Sequence, residues 1–491
     1  MGERVSGTPE SDATIALLSV TLDRQGGQPL VRQLYHHLRD LILTRRIAPG
    51  ARLPSTRTLS RELAVSRTVT LEAFGQLAAE GFLETRLGSG HYVAQLQLPQ
   101  ASEVAATAQP IGSPKDSIWS ARGRPFDPAW QAVDLFPSQL WGRMLGRGWR
   151  RHQASALERH WLGLPALRSA LVEHLRALRG VALGPDQVMI TSGMADALAL
   201  VGRAVGKDGE VAGWVEDPGL GTTRQTLGRN GVRVVPVPVD ADGLCVEEGE
   251  RLAPDAALAL VTPTRQFPLG MPLSLPRRLA LLEWARRTGA IVLDDDYDGE
   301  IRFAGRPLQS LASLDPGAQV LTLGSFSKLT FAGLRLGYVA GPADLIARLA
   351  ERRRSSYSLV PTAPQAALAE FIATGAFARH LRALRSNLTR RRLVLVETLR
   401  REAGDLVEVL PQEVGMHVTV RLADAIAKRI GDVALSERAA AEGLVLLPLS
   451  GQYAAGNGEQ GFLLGYAGWA EAQFADALER LIGLLRSVQR I

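Results

Sequence analysis

The spacing of apolar residues changes along the chain, and the change divides it. After Pro29, Leu34, Leu38, Leu41 and Ile42 fall three or four apart, the spacing of one helix face, and Ile47-Ala48-Pro49-Gly50 ends that segment. Ser55 starts a second helix with Leu59 and Leu63 inward, and Ala64-Val65 turns the chain to Ser66. A third helix runs from Ser66 to about Glu80 and stops at Gly81. From Phe82 to Val93 the pattern alternates around Leu87-Gly88-Ser89-Gly90, which predicts a small hairpin. Three short helices and a hairpin describe a winged helix-turn-helix, mainly α with a small β wing.

Leu96 to Pro125 has no periodic apolar face and carries Pro99, Pro110, Pro114 and Pro125, as a linker does. Beyond it the apolar runs Val211–Val215, Val232–Val237, Leu258–Val261 and Ala290–Asp294 alternate with helical stretches. That alternation predicts an α/β body with a mainly parallel sheet covered on both faces. The expected layout is an extension over 1–24, a head over 25–95, a linker over 96–125 and a body over 126–491. A small lobe occupies about 379–491 of the body.

Composition sharpens this outline. A chain of 491 residues exceeds the roughly 300 that one core usually serves, and 46% apolar residues can bury a large one. The single cysteine, Cys245, excludes an internal disulfide framework and points to a reducing, cytoplasmic compartment. Ala13–Val20 is apolar but too short for a signal peptide or a membrane span, and no metal site is expected.

Charge is uneven. Residues 25–95 hold nine Arg and five acidic residues, a net +4 of the whole chain's +6. A basic winged head suits duplex DNA, with phosphate contact as the main source of affinity. In that geometry the first turn of the third helix enters the major groove, so Ser66, Arg67, Thr68 and Thr70 are expected at bases and phosphates. Ser55 and Arg57 would reach the backbone, and the hairpin tip with Arg86, Gly88 and Ser89 would lie along the neighbouring groove. A helical dimerisation head with a solvated basic face is the bland alternative.

The body's chemistry centres on one amine. Of 56 Lys and Arg residues only four are Lys: Lys115, Lys207, Lys328 and Lys428. Lys328 follows Val320–Leu323 in Gly324-Ser325-Phe326-Ser327-Lys328. An amine forms an imine with an aldehyde, which a permanently charged guanidinium cannot do. Upstream, Ala290–Asp294 reads as a buried strand entering the acidic run Asp294-Asp295-Asp296-Tyr297-Asp298. Residues two apart share a strand face, so Asp295 and Tyr297 can meet one ligand together. A carboxylate there keeps a pyridine nitrogen protonated and a phenol bonds a ring hydroxyl, which points to pyridoxal 5'-phosphate. For its phosphate the chain offers Ser192, Gly193 and Met194 at a strand-to-helix turn, with Ser325 and Arg335 as further donors.

From about Phe126 the chain resembles a fold-type I aminotransferase domain. The resemblance rests on Gly163-Leu-Pro-Ala-Leu-Arg168, Thr191-Ser-Gly193, Glu216-Asp-Pro-Gly219, Thr262-Pro-Thr-Arg-Gln-Phe-Pro268, Asp295-Asp-Tyr297, Ser325-Phe-Ser-Lys328 and Leu334-Arg-Leu-Gly337. Pro49-Gly50-Ala-Arg-Leu-Pro-Ser-Thr-Arg57, Val65-Ser-Arg67 and Glu80-Gly-Phe-Leu83 resemble the head of GntR-class bacterial regulators. A GntR-type head joined to such a body is similar to the MocR/GabR family of transcription factors. The resemblance implies a homodimer, head to tail, on promoter half-sites of double-stranded DNA. It further implies a body that holds pyridoxal phosphate on Lys328 as a Schiff base and senses an amine, an amino acid or a B6 vitamer. The alternative is an active aminotransferase with an accessory DNA-binding head.

Departures from the pattern bear on that choice. Phe267 stands where enzymes of the fold have Asn before Pro, and the family's regulators show His-Gln-Phe-Pro there. Gln266 keeps the Gln of that motif as a cofactor contact, whereas Arg265 takes the His position. Enzymes place an Arg for the substrate carboxylate late in the small lobe, and Gly461–Ala467 has none, so Arg224 and Arg421 are the candidates. These features favour a regulator over an enzyme. The enzymes' spacing would choose Asp294 for the ring nitrogen, while the same-face argument chooses Asp295.

Overall fold

A computed structural model of the protein describes residues 20–24, 27–86, 89–95, 123–151, 159–206, 209–303, 308–315, 317–456, 458–469 and 471–490. Gly88, residues 1–19 of the extension and residues 96–122 of the expected linker lie outside them. The chain forms two compact units, Met1–Lys115 and Asp116–Ile491.

In the first unit, helices span Leu30–Leu43, Thr56–Glu62 and Arg67–Ala79. The Oγ of Ser55 accepts from Thr58 N and that of Ser66 from Val69 N, so both serines satisfy free N–H groups at helix starts. Strands β1 (Leu83–Arg86) and β2 (Gly90–Val93) pair antiparallel, with Leu83 opposite Val93. Leu34, Leu38, Leu59, Phe74 and Leu77 are buried in one core that Leu83 and Val93 close from the wing.

The second unit begins its sheet with β3 (Val188–Thr191), β4 (Val211–Asp217), β5 (Val232–Asp240), β6 (Gly243–Leu244) and β7 (Leu258–Val261). It continues with β8 (Ile291–Asp295), β9 (Val320–Ser325) and β10 (Gly337–Ala340). The eight strands lie in the order β3-β10-β9-β8-β7-β4-β5-β6. Neighbours from β5 to β9 are parallel, whereas β10 runs antiparallel between β3 and β9. Strands β7 and β8 are buried at every position, as expected of strands covered on both faces.

A smaller antiparallel sheet joins β11 (Val407–Val409), β12 (His417–Leu422), β13 (Leu447–Pro448) and β14 (Gly461–Gly465) in the order β11-β12-β14-β13. Helices Ala376–Ala403 and Glu471–Arg490 pack with this lobe. The start of the unit returns to it, because Phe126 bridges to Gly465. A Cβ on Gly465 would stand 2.3 Å from the carbonyl oxygen of Asp127, so only glycine permits this approach. It sets Asp127 and Pro128 beside the ends of the large sheet's central strands.

Candidate functional site

Strands β4, β7, β8 and β9 end around a cavity of about 260 Å³ whose lining includes Val215, Leu260, Asp295, Tyr297, Ser325 and Lys328. Ligands gather at the carboxyl ends of parallel strands because the connecting loops diverge there. An adjoining cavity of about 820 Å³ shares Met194, Ser325 and Lys328 and adds Gly193 and Arg335.

Lys328 Nζ donates to the carbonyl of Pro128 at 3.3 Å. Burial lowers its pKa below the ordinary lysine value; Asp298 and Asp127 oppose the shift, and Arg265 adds to it. The amine is therefore easier to hold neutral and nucleophilic than a solvated one. Asp295 lies at the end of β8 and lines the cavity, while Asp294 faces the other way, with Oδ2 3.4 Å from Leu311 N. Between the two, the structure brings Asp295 to the site. Burial and the neighbouring carboxylates of Asp296 and Asp294 hold its pKa well above the usual range, and its Oδ1 has no hydrogen-bond partner. A buried oxygen without a donor is matched by a protonated ring nitrogen.

Tyr297 also lines the cavity, and its Oη accepts from Arg265 Nη1 at 3.0 Å. Behind it, Arg265 is fully buried and holds Asp298 Oδ2 at 2.7 Å, Gln412 Oε1 at 2.9 Å, and both Nε2 and the backbone oxygen of His417 at 3.0 Å. A guanidinium cannot accept, so His417 Nε2 accepts and the ring's proton sits on Nδ1. Burial, Arg265 and Lys328 push the His417 pKa well below its ordinary value, which keeps that imidazole neutral.

Gly193, with φ +87°, precedes the helix Met194–Val205, whose first N–H groups have no carbonyl partner within the helix. A Cβ on Gly193 would stand 3.6 Å from the guanidinium carbon of Arg335. Arg335 is exposed and itself has positive φ, +51°. Helix start, glycine and guanidinium together form a cradle for an anion. These residues fit pyridoxal phosphate: an amine for the aldehyde, an unmatched carboxylate for the ring nitrogen, a phenol for the ring oxygen and a cradle for the phosphate.

Three expectations need correction. Gln266 does not line the cavity; its Nε2 donates to the carbonyls of Pro218 and Phe267, and its Oε1 accepts from Leu269 N, so its side chain braces the loop from behind. Ser192 is absent from both cavity linings, and its N–H is bonded to Asp196 Oδ2 at 2.9 Å. In the head, Thr70 is fully buried and its hydroxyl donates to the carbonyls of Thr56 and Arg67, so it ties two helices together instead of facing DNA. Thr70 fell on the inner face because it lies three, four and seven residues before Ala73, Phe74 and Leu77, which form the core stripe.

The other described head residues are accessible. Ser55, Arg57, Ser66, Arg67, Thr68 and Arg86 are exposed, and Ser89 is half-buried against Tyr92 Oη at 2.7 Å. Leu71, one turn beyond Thr68, is an exposed apolar side chain on the same helix. In the small lobe, Arg421 is occupied by Glu408 at 2.7 Å and Glu459 at 2.9 Å and does not line the cavity. Arg224 does line it, and its Nη1 donates to the carbonyls of Gly219 and Gln452 at 2.8 Å. His417, Asp127, Asp298 and the Pro128 carbonyl were not found from sequence. None stands in a spacing that signals chemistry, and only the return of the chain to β14 brings Asp127 and Pro128 in.

The fold and its site define a winged head of the GntR type carried with a body of the pyridoxal-phosphate-dependent aminotransferase fold. Residues 30–93 match the family of bacterial regulatory proteins, gntR family, and residues 152–481 match aminotransferase class I and II. The chain is 36% identical over 465 residues to the probable rhizopine catabolism regulatory protein MocR of Rhizobium meliloti, covering 91% of this chain and 92% of that one. It is 30% identical to the pyridoxine biosynthesis transcriptional regulator PdxR of Corynebacterium glutamicum, covering 94% and 99%. A kynurenine aminotransferase structure from Pyrococcus horikoshii superposes with TM-score 0.66 at 25% identity, over 74% of this chain and 90% of that one. The chain belongs to the MocR-type helix-turn-helix transcriptional regulators, in which a GntR head is fused to an aminotransferase class I/II domain. Among the described residues no helix is long and apolar enough to cross a membrane.

Proposed function

We propose that the body holds pyridoxal phosphate on Lys328 and that an amine-bearing effector reaching this site changes the grip of the head on promoter DNA. The observation that carries the reading is the convergence of Lys328, Asp295 and Tyr297 on one cavity beside the Gly193–Arg335 cradle. When bound, pyridoxal phosphate supplies an aldehyde that condenses with primary amines and a ring that withdraws electrons.

This chain's residues do the rest. Gly193, Met194 N and Arg335 would hold the phosphate, with Ser325 beside them; Asp295 would pair with the ring nitrogen, and Tyr297 would donate to the ring oxygen. Lys328 would offer a neutral amine to the aldehyde, and the cavity would admit the amine of an effector beside it, be it an amino acid, a simple amine or a B6 vitamer. Leu220, Phe267, Met416 and Leu447 give the cavity apolar walls, and Arg224 is its cation for an effector carboxylate. Burial lowers the Arg224 pKa below the ordinary value, and Asp217 opposes the shift. The Pro128 carbonyl that Lys328 bonds is anchored to the small lobe through Phe126 and Gly465, so a change at the Lys328 amine would be passed to that lobe. A switch requires two states with different affinity for the effector, and this contact is where they would differ.

Regulation in this scheme needs no turnover. The head, on residues 25–95, reads half-sites through Arg57, Arg67, Thr68 and the Arg86–Ser89 tip, and a head-to-tail homodimer in the cytoplasm presents two heads to paired half-sites.

The test is the visible absorbance of the full-length protein and of Lys328→Ala before and after borohydride, with DNA binding of both in parallel. A reducible band that the variant lacks, with DNA affinity that follows cofactor state, is the expected result. No band in the unaltered protein with pyridoxal phosphate added overturns the reading.

A further inference from the structure

Arg265 is the most heavily engaged side chain near the cavity, and nothing in the scheme above uses it. Its Nη1 faces Tyr297 Oη and Asp298, both just beyond β8, while its Nη2 faces Gln412 and His417 of the small lobe. Only one of these partners is a carboxylate. A buried guanidinium is costly unless its hydrogen bonds are nearly complete, so this position is held in a fixed geometry.

The direction of the bond to Tyr297 has a consequence. Guanidinium nitrogens only donate, so the phenol oxygen accepts from Arg265 and its own proton is left for another acceptor. Tyr297 lines the cavity, where a ligand oxygen would be that acceptor. A phenol that accepts from a cation is in turn a stronger donor, since chains of hydrogen bonds polarise one another.

We propose that Arg265 is a positioning residue for the ligand site: it aims and strengthens the phenol proton of Tyr297 and ties that setting to the small lobe through Gln412 and His417. The inference rests on the pyridoxal phosphate reading above. Groups that face Lys328 enter the same balance. Asp298 and Asp127 favour its charged form, Arg265 disfavours it, and Asp295, Glu216, His417 and Arg224 line the cavity with it.

The experiment is a pH titration of the visible absorbance of the full-length protein loaded with pyridoxal phosphate, which follows the proton on the Lys328 nitrogen. Arg265→Gln removes the cation and should raise the midpoint by about one pH unit or more, as loss of a nearby like charge does. Arg265→Lys keeps the charge and should stay closer to the unaltered midpoint. Tyr297→Phe leaves every other Arg265 partner in place; it should raise the midpoint by itself and shrink the further effect of Arg265→Gln.

A purely structural clamp would lower the melting temperature of Arg265→Gln and leave the midpoint where it was, which overturns the proposal. An undiminished Arg265→Gln shift in the Tyr297→Phe background overturns the route through the phenol. Should Arg265→Gln fail to fold, an unmoved midpoint in Tyr297→Phe decides against the proposal on its own. Absence of any band in the unaltered protein removes the pyridoxal phosphate reading, and this inference with it; a normal band with no shift removes this inference alone.

Discussion

The guanidinium carbon of Arg335 lies 3.6 Å from the point where a β-carbon on Gly193 would stand. Two residues 142 positions apart thus meet at contact distance at the start of the helix Met194–Val205.

Gly193→Ala places a methyl at that contact and forces a side chain onto a left-handed φ of +87°. Arg335→Ala removes the fork. Each should weaken binding of pyridoxal phosphate about tenfold or more, the scale of one charge-assisted hydrogen bond. Binding of pyridoxal, which lacks the phosphate, should fall much less. Absorbance titration of both ligands against each variant measures the difference.

Lys328 should react with aldehydes at a pH where solvated lysines are still charged, because burial lowers its pKa. Trapping with pyridoxal phosphate and borohydride across a pH series, followed by peptide mapping, should find Lys328 modified well before Lys428. Equal onset at the two lysines would contradict the environment described for Lys328.

Glu216 accepts from Thr262 N at 3.2 Å and Thr262 Oγ1 at 2.5 Å, and burial raises its pKa from 4.5 to about 7. Below the unfolded value the carboxyl is protonated in both states. Between the two values the unfolded chain loses the proton and the folded one keeps it, so stability declines as pH rises through this window and levels off above it. Glu216→Gln should remove this share of the decline, roughly 3 kcal/mol at its full extent. Urea melts of variant and parent at several pH values, compared as differences, isolate the effect.

In the head, Thr70→Val should lower stability by about 1–2 kcal/mol, the cost of leaving the Thr56 and Arg67 carbonyls short of a donor. The salt dependence of DNA binding should not change. Arg67→Ala should do the reverse, with unaltered melting and a binding slope against salt reduced by about one. A large slope change in Thr70→Val would place the hydroxyl at DNA after all.

The acidic run after β8 shows how far sequence reasoning reaches. Alternation on a strand put Asp295 and Tyr297 on one face, and both line the cavity because β8 is regular up to Asp295. The same reasoning failed for Gln266, which was assigned to the ligand from its place in a motif. Its loop turns the side chain inward, where unpaired carbonyls of Pro218 and Phe267 needed a donor. Thr70 was misplaced for a related reason: a helix start brings several polar residues near DNA, but only the helical angle decides which of them faces the core.

The sequence by itself determined the elements and their chemistry. Periodicity marked the winged head and the α/β body, the rarity of lysine marked Lys328, and motif order tied both parts to one family, since all of these are local properties of the chain. Tertiary structure alone decided which groups meet. Arg265 bonds residues 32 to 152 positions away, and the Pro128 carbonyl reaches Lys328 across 200. Contacts at such separations follow from sheet order and the return of the chain to β14, which no local pattern encodes.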